Sequence, residues 1–467
     1  MQNDNKLFYF FWILYTIALI IVAICADGTG GGGDSVLHFL YAKYAFVHPE
    51  LFLNHWAKPL FTILSSPFTL VGFTGIKLFN VICSSGAVWF GYQIMEKWEI
   101  AYRWTIAPII FSSSLFIAVT LSGLTEPLSA LILTSAIYFI SNQQIKTGLI
   151  IISFMPFVRS EGLIILGVFL IYTYVKRYYK FIPILLTGHI VFAIIGYSYY
   201  RDILWIFTKI PYTNQIASYG KGSWEHFIIQ LNFQTNPIIY ALFWIGSIGL
   251  LINLIISSPK NTNKPGLTER FWLVYGSFYA FLIAHATFWA LGIFNSMGLV
   301  RVFVSVMPLM VVICIDGLNI INLFHFKKYN HVIVYLVVIA IIIIPFTEGK
   351  YKHNIPNDFL MSKEQIIIKD SIKPYLENSW KNKTIVFTDP NVPFMLNLDP
   401  FDSSQCLWHY QIRKPLNLPD ERILLADVWF SKTEWGYPID SILKDSGMIL
   451  HSKFPKTESI YYVFSKK

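Results

Sequence analysis

Three carboxylates stand where the chain is otherwise apolar or glycine-rich: Asp34, Glu126 and Glu161. Four cations accompany them in comparable settings: Lys58, Arg159, Lys221 and Arg301. A carboxylate beside an acceptor hydroxyl can remove its proton while the oxygen attacks an oxocarbenium-like carbon. An arginine fork binds phosphate through two parallel hydrogen bonds and stabilises the charge that develops as the phosphate leaves. Together these residue types suit a phosphate-ester substrate that surrenders its phosphate. A single base without a carboxylate nucleophile implies direct displacement with inversion.

The local patterns add candidates. Asp34 and His38 are four residues apart, so on a helix they share a face. His55 and Lys58 follow in the same segment, Asn54-His55-Trp56-Ala57-Lys58-Pro59. Glu126 sits in Ser122-Gly123-Leu124-Thr125-Glu126-Pro127, inside a nearly uncharged run. A carboxylate at membrane depth costs about 2.5–3.5 kcal/mol, so it must face a cavity or a partner. Arg159 and Glu161 flank Ser160, and Tyr219 precedes Gly220-Lys221-Gly222. The stretch from His285 to Arg301, with Trp289, Gly292, Asn295 and Gly298, reads as a further loop.

Lipid must surround the elements that hold these groups. The chain has 467 residues, 55% hydrophobic and only 13% charged, with a mean hydropathy of +0.52. A soluble domain carries about a quarter charged residues. The composition excludes a cytosolic enzyme, a secreted module and a disordered protein. The net charge of +9 marks loops that fix topology rather than a nucleic-acid surface, because no basic run forms a stripe. Cys25, Cys83, Cys314 and Cys406 show no CxxC spacing, and neither a disulfide framework nor a zinc site is indicated.

Apolar runs predict about eleven transmembrane spans, at 7–25, 76–94, 104–121, 125–140, 148–158, 161–175, 181–200, 235–257, 271–291, 302–323 and 331–346. The short run at 148–158 pairs with the next as a broken or re-entrant element. Lys6, Lys97, Arg103, Lys146, Lys176, Arg177, Lys180, Lys260, Lys264, Arg270, Lys327 and Lys328 cluster in alternate short breaks, which places those breaks and the N-terminus in the cytoplasm. Every candidate above then falls on the extracytoplasmic side. Residues 1–346 form the membrane domain. Residues 347–467 form a small extracytoplasmic α/β domain, with strand-like runs at Thr384–Thr388, Ile423–Val428, Gly447–His451 and Ile460–Phe464. Its Trp408-His409-Tyr410, Trp429-Phe430 and Glu434-Trp435-Gly436-Tyr437 groups suit either core packing or a platform for sugar rings. The glycine run Gly28–Gly33, broken by Thr29, reads as a flexible hinge. No Walker motif or nucleotide fold is present, so the donor should be lipid-borne and enter from the bilayer.

Gly33-Asp34-Ser35, Thr125-Glu126-Pro127, Arg159-Ser160-Glu161-Gly162 and Gly298-Leu299-Val300-Arg301 leading to Pro308 resemble, in this order, the GT-C class of integral-membrane glycosyltransferases. That class includes polyprenyl-phosphate-sugar-dependent mannosyltransferases and aminoarabinose transferases. The resemblance implies an inverting enzyme, a many-helix membrane body with a soluble outer domain, and a sugar donor on dolichyl or undecaprenyl phosphate. It assigns Asp34 as catalytic base or site organiser, and Arg301 to the donor phosphate. Arg159, Lys58 and Lys221 join Arg301 as phosphate ligands; His38, His55, Glu126, Glu161, Tyr219 and His285 line the site and its acceptor side. Many relatives have two adjacent acidic residues in the first loop, whereas Ser35 follows Asp34 here. A divalent metal is therefore not favoured, although His38 or Asp27 could supply a second ligand.

The acceptor stays open among lipid, glycan and protein. A transporter or flippase of lipid-linked sugars, and an oligosaccharide ligase or polymerase, are the competing readings. A bacterial inner membrane is the expected location, and an endoplasmic-reticulum membrane satisfies the same physics.

Overall fold

The computed structural model describes residues 2–30, 32–210, 219–256, 267–321, 330–347, 359–381, 383–458 and 460–467. Gly31, the end of the expected span at 257, and Lys260, Lys264, Lys327 and Lys328 lie outside the described residues.

Apolar sequence produces helices, and the degree of burial sorts them. Gln2–Cys25 is one uninterrupted helix, and Phe10, Ile17, Ile21 and Ile24 point outward from it. Phe73–Lys97 is one residue longer but packs centrally, with Lys77, Asn80, Ser84 and Ser85 buried. Those polar groups meet protein rather than lipid: Ser84 and Ser85 pair with Thr120 and Thr16 on neighbouring helices, and the other two bond to loop carbonyls. Lys77 Nζ donates to Ala26 O at 2.6 Å, placing a cation beside the C-terminal carbonyls of the first helix. Asn80 Nδ2 donates to Ser122 O and Leu124 O, at 2.7 and 2.9 Å, and so fixes the segment that leads to Glu126.

By length and composition, four helices among the described residues can cross a membrane alone: Asn3–Cys25, Phe73–Lys97, Tyr179–Tyr200 and Leu267–Leu291. The expected span 104–121 is instead two helices, Arg103–Ile110 and Ser114–Thr120, bent by 73°. Its physical cause is local. Ser113 stands between them as an N-cap whose hydroxyl accepts from Phe116 N, so a new helix starts there. The remaining expected spans are apolar helices of 10–17 residues, including Ile145–Phe157 and Gly162–Val175, the pair read as broken.

The C-terminal part carries a five-stranded mixed sheet: β1 (Thr384–Phe387), β2 (Cys406–Trp408), β3 (Arg422–Asp427), β4 (Met448–Phe454) and β5 (Tyr461–Lys466). The order is β2-β1-β3-β5-β4. β1 runs parallel to β2 and β3, while β5 runs antiparallel to β3 and β4. Side chains alternate, so Phe387, Ile423 and Leu425 fill one layer and Val386, Leu424 and Ala426 the other. The three-residue β2 is the strand that alternation did not reveal.

The sheet domain is bound to the loop after the first helix. Gln365 Nε2 donates to Thr29 Oγ1 at 2.9 Å, His48 Nε2 lies 2.9 Å from Asp399 Oδ2, and Tyr44 OH donates to Leu398 O at 3.1 Å. Phe394 meets Phe39 and Phe73 edge-on. The expected glycine hinge is therefore a packed contact. Gly28 N donates to Phe359 O at 2.9 Å, and a Cβ at Gly28 would stand 2.5 Å from Leu360 O. Gly28→Ala should cost about 1–3 kcal/mol through overpacking, read as a lower unfolding temperature of the full chain.

Candidate active site

Backbone geometry explains why the charges meet. The helix Gly32–Tyr44 carries Asp34 in its first turn and His38 one turn later. The helix Glu126–Ser141 begins with Glu126, followed by Pro127 at a position that needs no N–H. Both carboxylates thus sit at helix N-termini, where the macrodipole favours negative charge. Ser35 turns away from them: its hydroxyl donates to Thr29 O at 2.6 Å and accepts from Gly123 N at 2.7 Å. That bridge joins the Asp34 turn to the Glu126 segment. A Cβ on Gly123 would meet Ser35 O at 2.4 Å, which explains glycine there.

Five side chains form an alternating row. Arg301 Nη2 pairs with Asp34 Oδ2, and Arg301 Nε lies 3.8 Å from Glu126 Oε1. Arg159 Nη1 pairs with the same Glu126 oxygen at 2.7 Å, and Arg159 Nη2 with Glu161 Oε1 at 2.9 Å. Thr125 Oγ1 accepts from Arg159 Nη1 at 3.1 Å. Lys58 Nζ donates to Ser160 Oγ at 2.9 Å. Exposure is graded along the row: Glu126 is 1% exposed, Glu161 22% and Asp34 43%. Glu126 is the fixed centre and Asp34 the accessible end.

These groups line one cavity of about 730 Å³. Of the expected residues, Asp34, His38, Lys58, Glu126, Arg159, Glu161, Tyr219, His285 and Arg301 all line it. His55 and Lys221 do not. His55 Nε2 is held by Ile206 O at 2.9 Å beside a separate small pocket, and Lys221 is exposed. His285 belongs to the helix Ser277–Leu291 rather than to a loop, because that helix continues until Gly292 adopts φ +65°. Thr125, Ser160 and Trp56 stood inside the quoted motifs without being singled out, ordinary residues whose role comes from their neighbours.

Burial tunes the ionisable groups. Burial pushes the Lys58 ammonium down to about 8 against the pull of Glu161. Burial holds His38 at about 3, stacked on Trp56 at 4.8 Å, so it is a neutral ring at ordinary pH. No group of three or more His, Cys, Asp or Glu side chains with metal-binding geometry occurs among the described residues.

The far wall of the cavity comes from the C-terminal domain. Trp408, Tyr410 and Phe430 line it, and the Tyr219 hydroxyl donates to Glu434 at its rim. A Cβ on Gly33 would lie 2.9 Å from Phe430 Cζ, so this wall abuts the residue before Asp34.

No family model and no curated relative matches the chain. Solved structures do match its fold. ArnT from Cupriavidus metallidurans bound to undecaprenyl phosphate aligns with a TM-score of 0.61 at 9% identity, covering 97% of each chain. The apo state of ArnT gives 0.63 at 8% identity, covering 97% of this chain and 96% of that one. The Archaeoglobus fulgidus oligosaccharyltransferase tethered with an acceptor peptide gives 0.50 at 10% identity, over 98% of this chain and 74% of that one.

Proposed function

We propose that this chain is an inverting glycosyltransferase that moves a sugar, of the hexosyl and mannosyl-like kind, from a polyprenyl-phosphate donor to an acceptor hydroxyl. The observation that carries the reading is the row Asp34–Arg301–Glu126–Arg159–Glu161 inside a single cavity. ArnT holding undecaprenyl phosphate on the same fold supports a lipid-borne donor. In this reading the membrane body of about eleven spans is residues 1–346, the outer domain is 347–467, and the cavity opens on the extracytoplasmic face of a bacterial inner membrane. The gathering of charge at one end, rather than in paired repeats at the midplane, favours an enzyme over a transporter.

On the membrane-body side of the cavity the carboxylates Asp34, Glu126 and Glu161 balance the cations Lys58, Arg159 and Arg301, and Glu434 adds a fourth carboxylate at the rim. An entering phosphate must take a cation from a carboxylate. The Arg301–Asp34 pair is the one that can open, because Asp34 is the most exposed of the three acids. Arg301 then holds the donor phosphate, and Asp34 is freed to accept a proton. The acceptor oxygen bonds to the anomeric carbon as the bond from that carbon to the phosphate oxygen breaks. The hydroxyl proton passes to Asp34, and polyprenyl phosphate leaves with the electron pair on its own oxygen, where the arginine forks stabilise the charge.

The test is undecaprenyl-phosphate binding and sugar transfer by the purified full chain. Arg301→Ala should weaken binding by about ten- to a hundredfold, the worth of a charge-assisted pair. Unchanged affinity would remove Arg301 from the donor site. Lys58 provides a pH signature. It is charged below about 8 and neutral above, so donor affinity should fall as pH rises through 8. Lys58→Arg should keep affinity flat over that interval, since arginine stays charged.

A further inference from the structure

The cavity is divided by charge. Its cations, Lys58, Arg159 and Arg301, all come from the membrane body. The C-terminal wall contributes no lysine or arginine among the described lining residues; it presents Trp408, Tyr410 and Phe430, with Glu434 at the rim. The remaining titratable group there, His409, is kept neutral by burial, which lowers it to about 4. The Tyr410 ring stacks on Trp408, 17° from parallel with centroids at 5.7 Å, so the buried indole backs an exposed phenol ring. Trp408 Nε1 is buried and finds no acceptor among the described residues. A donor N–H with nothing to bind, on a wall of rings, is an arrangement that a ligand completes.

Several acceptor chemistries meet this wall differently. A phosphorylated acceptor would face the Glu434 carboxylate with no cation beside it. A pyranose has an apolar C–H face that lies on aromatic rings, whose faces are electron-rich, and a rim of hydroxyls that needs both donors and acceptors. Trp408 Nε1 supplies a donor, Glu434 an acceptor, and Tyr219 a hydroxyl. Phe430 packs against Gly33, so this wall borders the turn that carries Asp34 in the same cavity.

We propose that the C-terminal wall is a carbohydrate subsite that seats an uncharged sugar of the acceptor, which makes the acceptor a neutral glycan. The proposal rests on the glycosyl-transfer reading and specifies its second substrate. The donor phosphate and the acceptor sugar then occupy opposite sides of one cavity, sorted by charge.

The experiment uses the full chain in lipid nanodiscs and saturation-transfer NMR with three probes: methyl α-mannopyranoside, mannose 6-phosphate and N-acetylserine amide. Undecaprenyl-phosphate binding is measured on the same samples. The expected result is transfer to the ring protons of the methyl glycoside that exceeds transfer to either other probe. Tyr410→Ala, at a half-exposed ring whose loss leaves the core intact, should weaken that signal by about fivefold, the effect of one lost ring contact. Trp408→Phe keeps an aromatic ring, smaller than the indole, and removes the N–H, and should weaken it less. Both variants should bind undecaprenyl phosphate like the parent. The proposal is overturned by a glycoside signal that ignores both substitutions, by its absence while undecaprenyl phosphate still binds, or by preference for the phosphorylated sugar or the serine amide. Glycoside binding without undecaprenyl-phosphate binding would instead remove the donor reading and leave the subsite standing.

Discussion

Asp34→Asn is expected to lower sugar transfer by about 10²- to 10⁴-fold, the contribution of a positioned general base, while leaving the protein folded. The amide keeps the size of the side chain and the helix turn but cannot take the acceptor proton. Asp34 is 43% exposed, and its partner Arg301 keeps Glu126 at 3.8 Å, so the lost pair should cost no more than about 1 kcal/mol of stability. Affinity for undecaprenyl phosphate should hold or rise, because no carboxylate then competes for Arg301. This pattern, with turnover lost and donor binding kept, is the reverse of the one expected from Arg301→Ala. Single-turnover transfer and a binding isotherm on the same preparation separate the two. Normal turnover by Asp34→Asn would end the assignment of this residue as base.

Arg159→Met has the largest expected effect on stability. Glu126 is 1% exposed and its close ion pair is with Arg159 at 2.7 Å; Glu161 depends on the same guanidinium at 2.9 Å. Removing one partner of a buried pair leaves an uncompensated charge and costs about 3–5 kcal/mol. The chain should unfold at a markedly lower temperature in detergent. Glu126→Gln added to Arg159→Met should restore much of the loss, because a neutral amide no longer needs the cation. If the double variant is no more stable than the single one, Glu126 is not the group that Arg159 neutralises. The comparison separates the structural role of Arg159 from any contact with the donor, since thermal unfolding is measured without substrate.

Particular residues show how far composition and spacing reach. Glu126 stood out because a lone carboxylate in an apolar run must have a partner, and it has two arginines. The i, i+4 spacing of Asp34 and His38 placed both on one helix face, and both line the cavity. Lys221 looked equivalent to Lys58, yet one is exposed and the other buried. Their neighbours differ, since Lys58 is followed by the apolar Pro59, Leu60 and Phe61 and Lys221 stands between two glycines. The glycine run suggested slack, whereas Gly28 and Gly33 mark where two domains approach too closely for a side chain.

Hydropathy and charge alone determined that the chain needs a bilayer, that its C-terminal part does not, and which polar residues are too costly to be idle. These follow from transfer free energies that each residue carries wherever it sits. The pairing itself was decided only in three dimensions. Asp34 and Arg301 are 267 positions apart, and their meeting depends on how apolar helices pack, on Asn80 holding the Glu126 segment, and on Ser35 joining it to the Asp34 turn. Apolar contact is non-directional, so a hydrophobic pattern shows that helices associate but leaves open which polar ends they bring together.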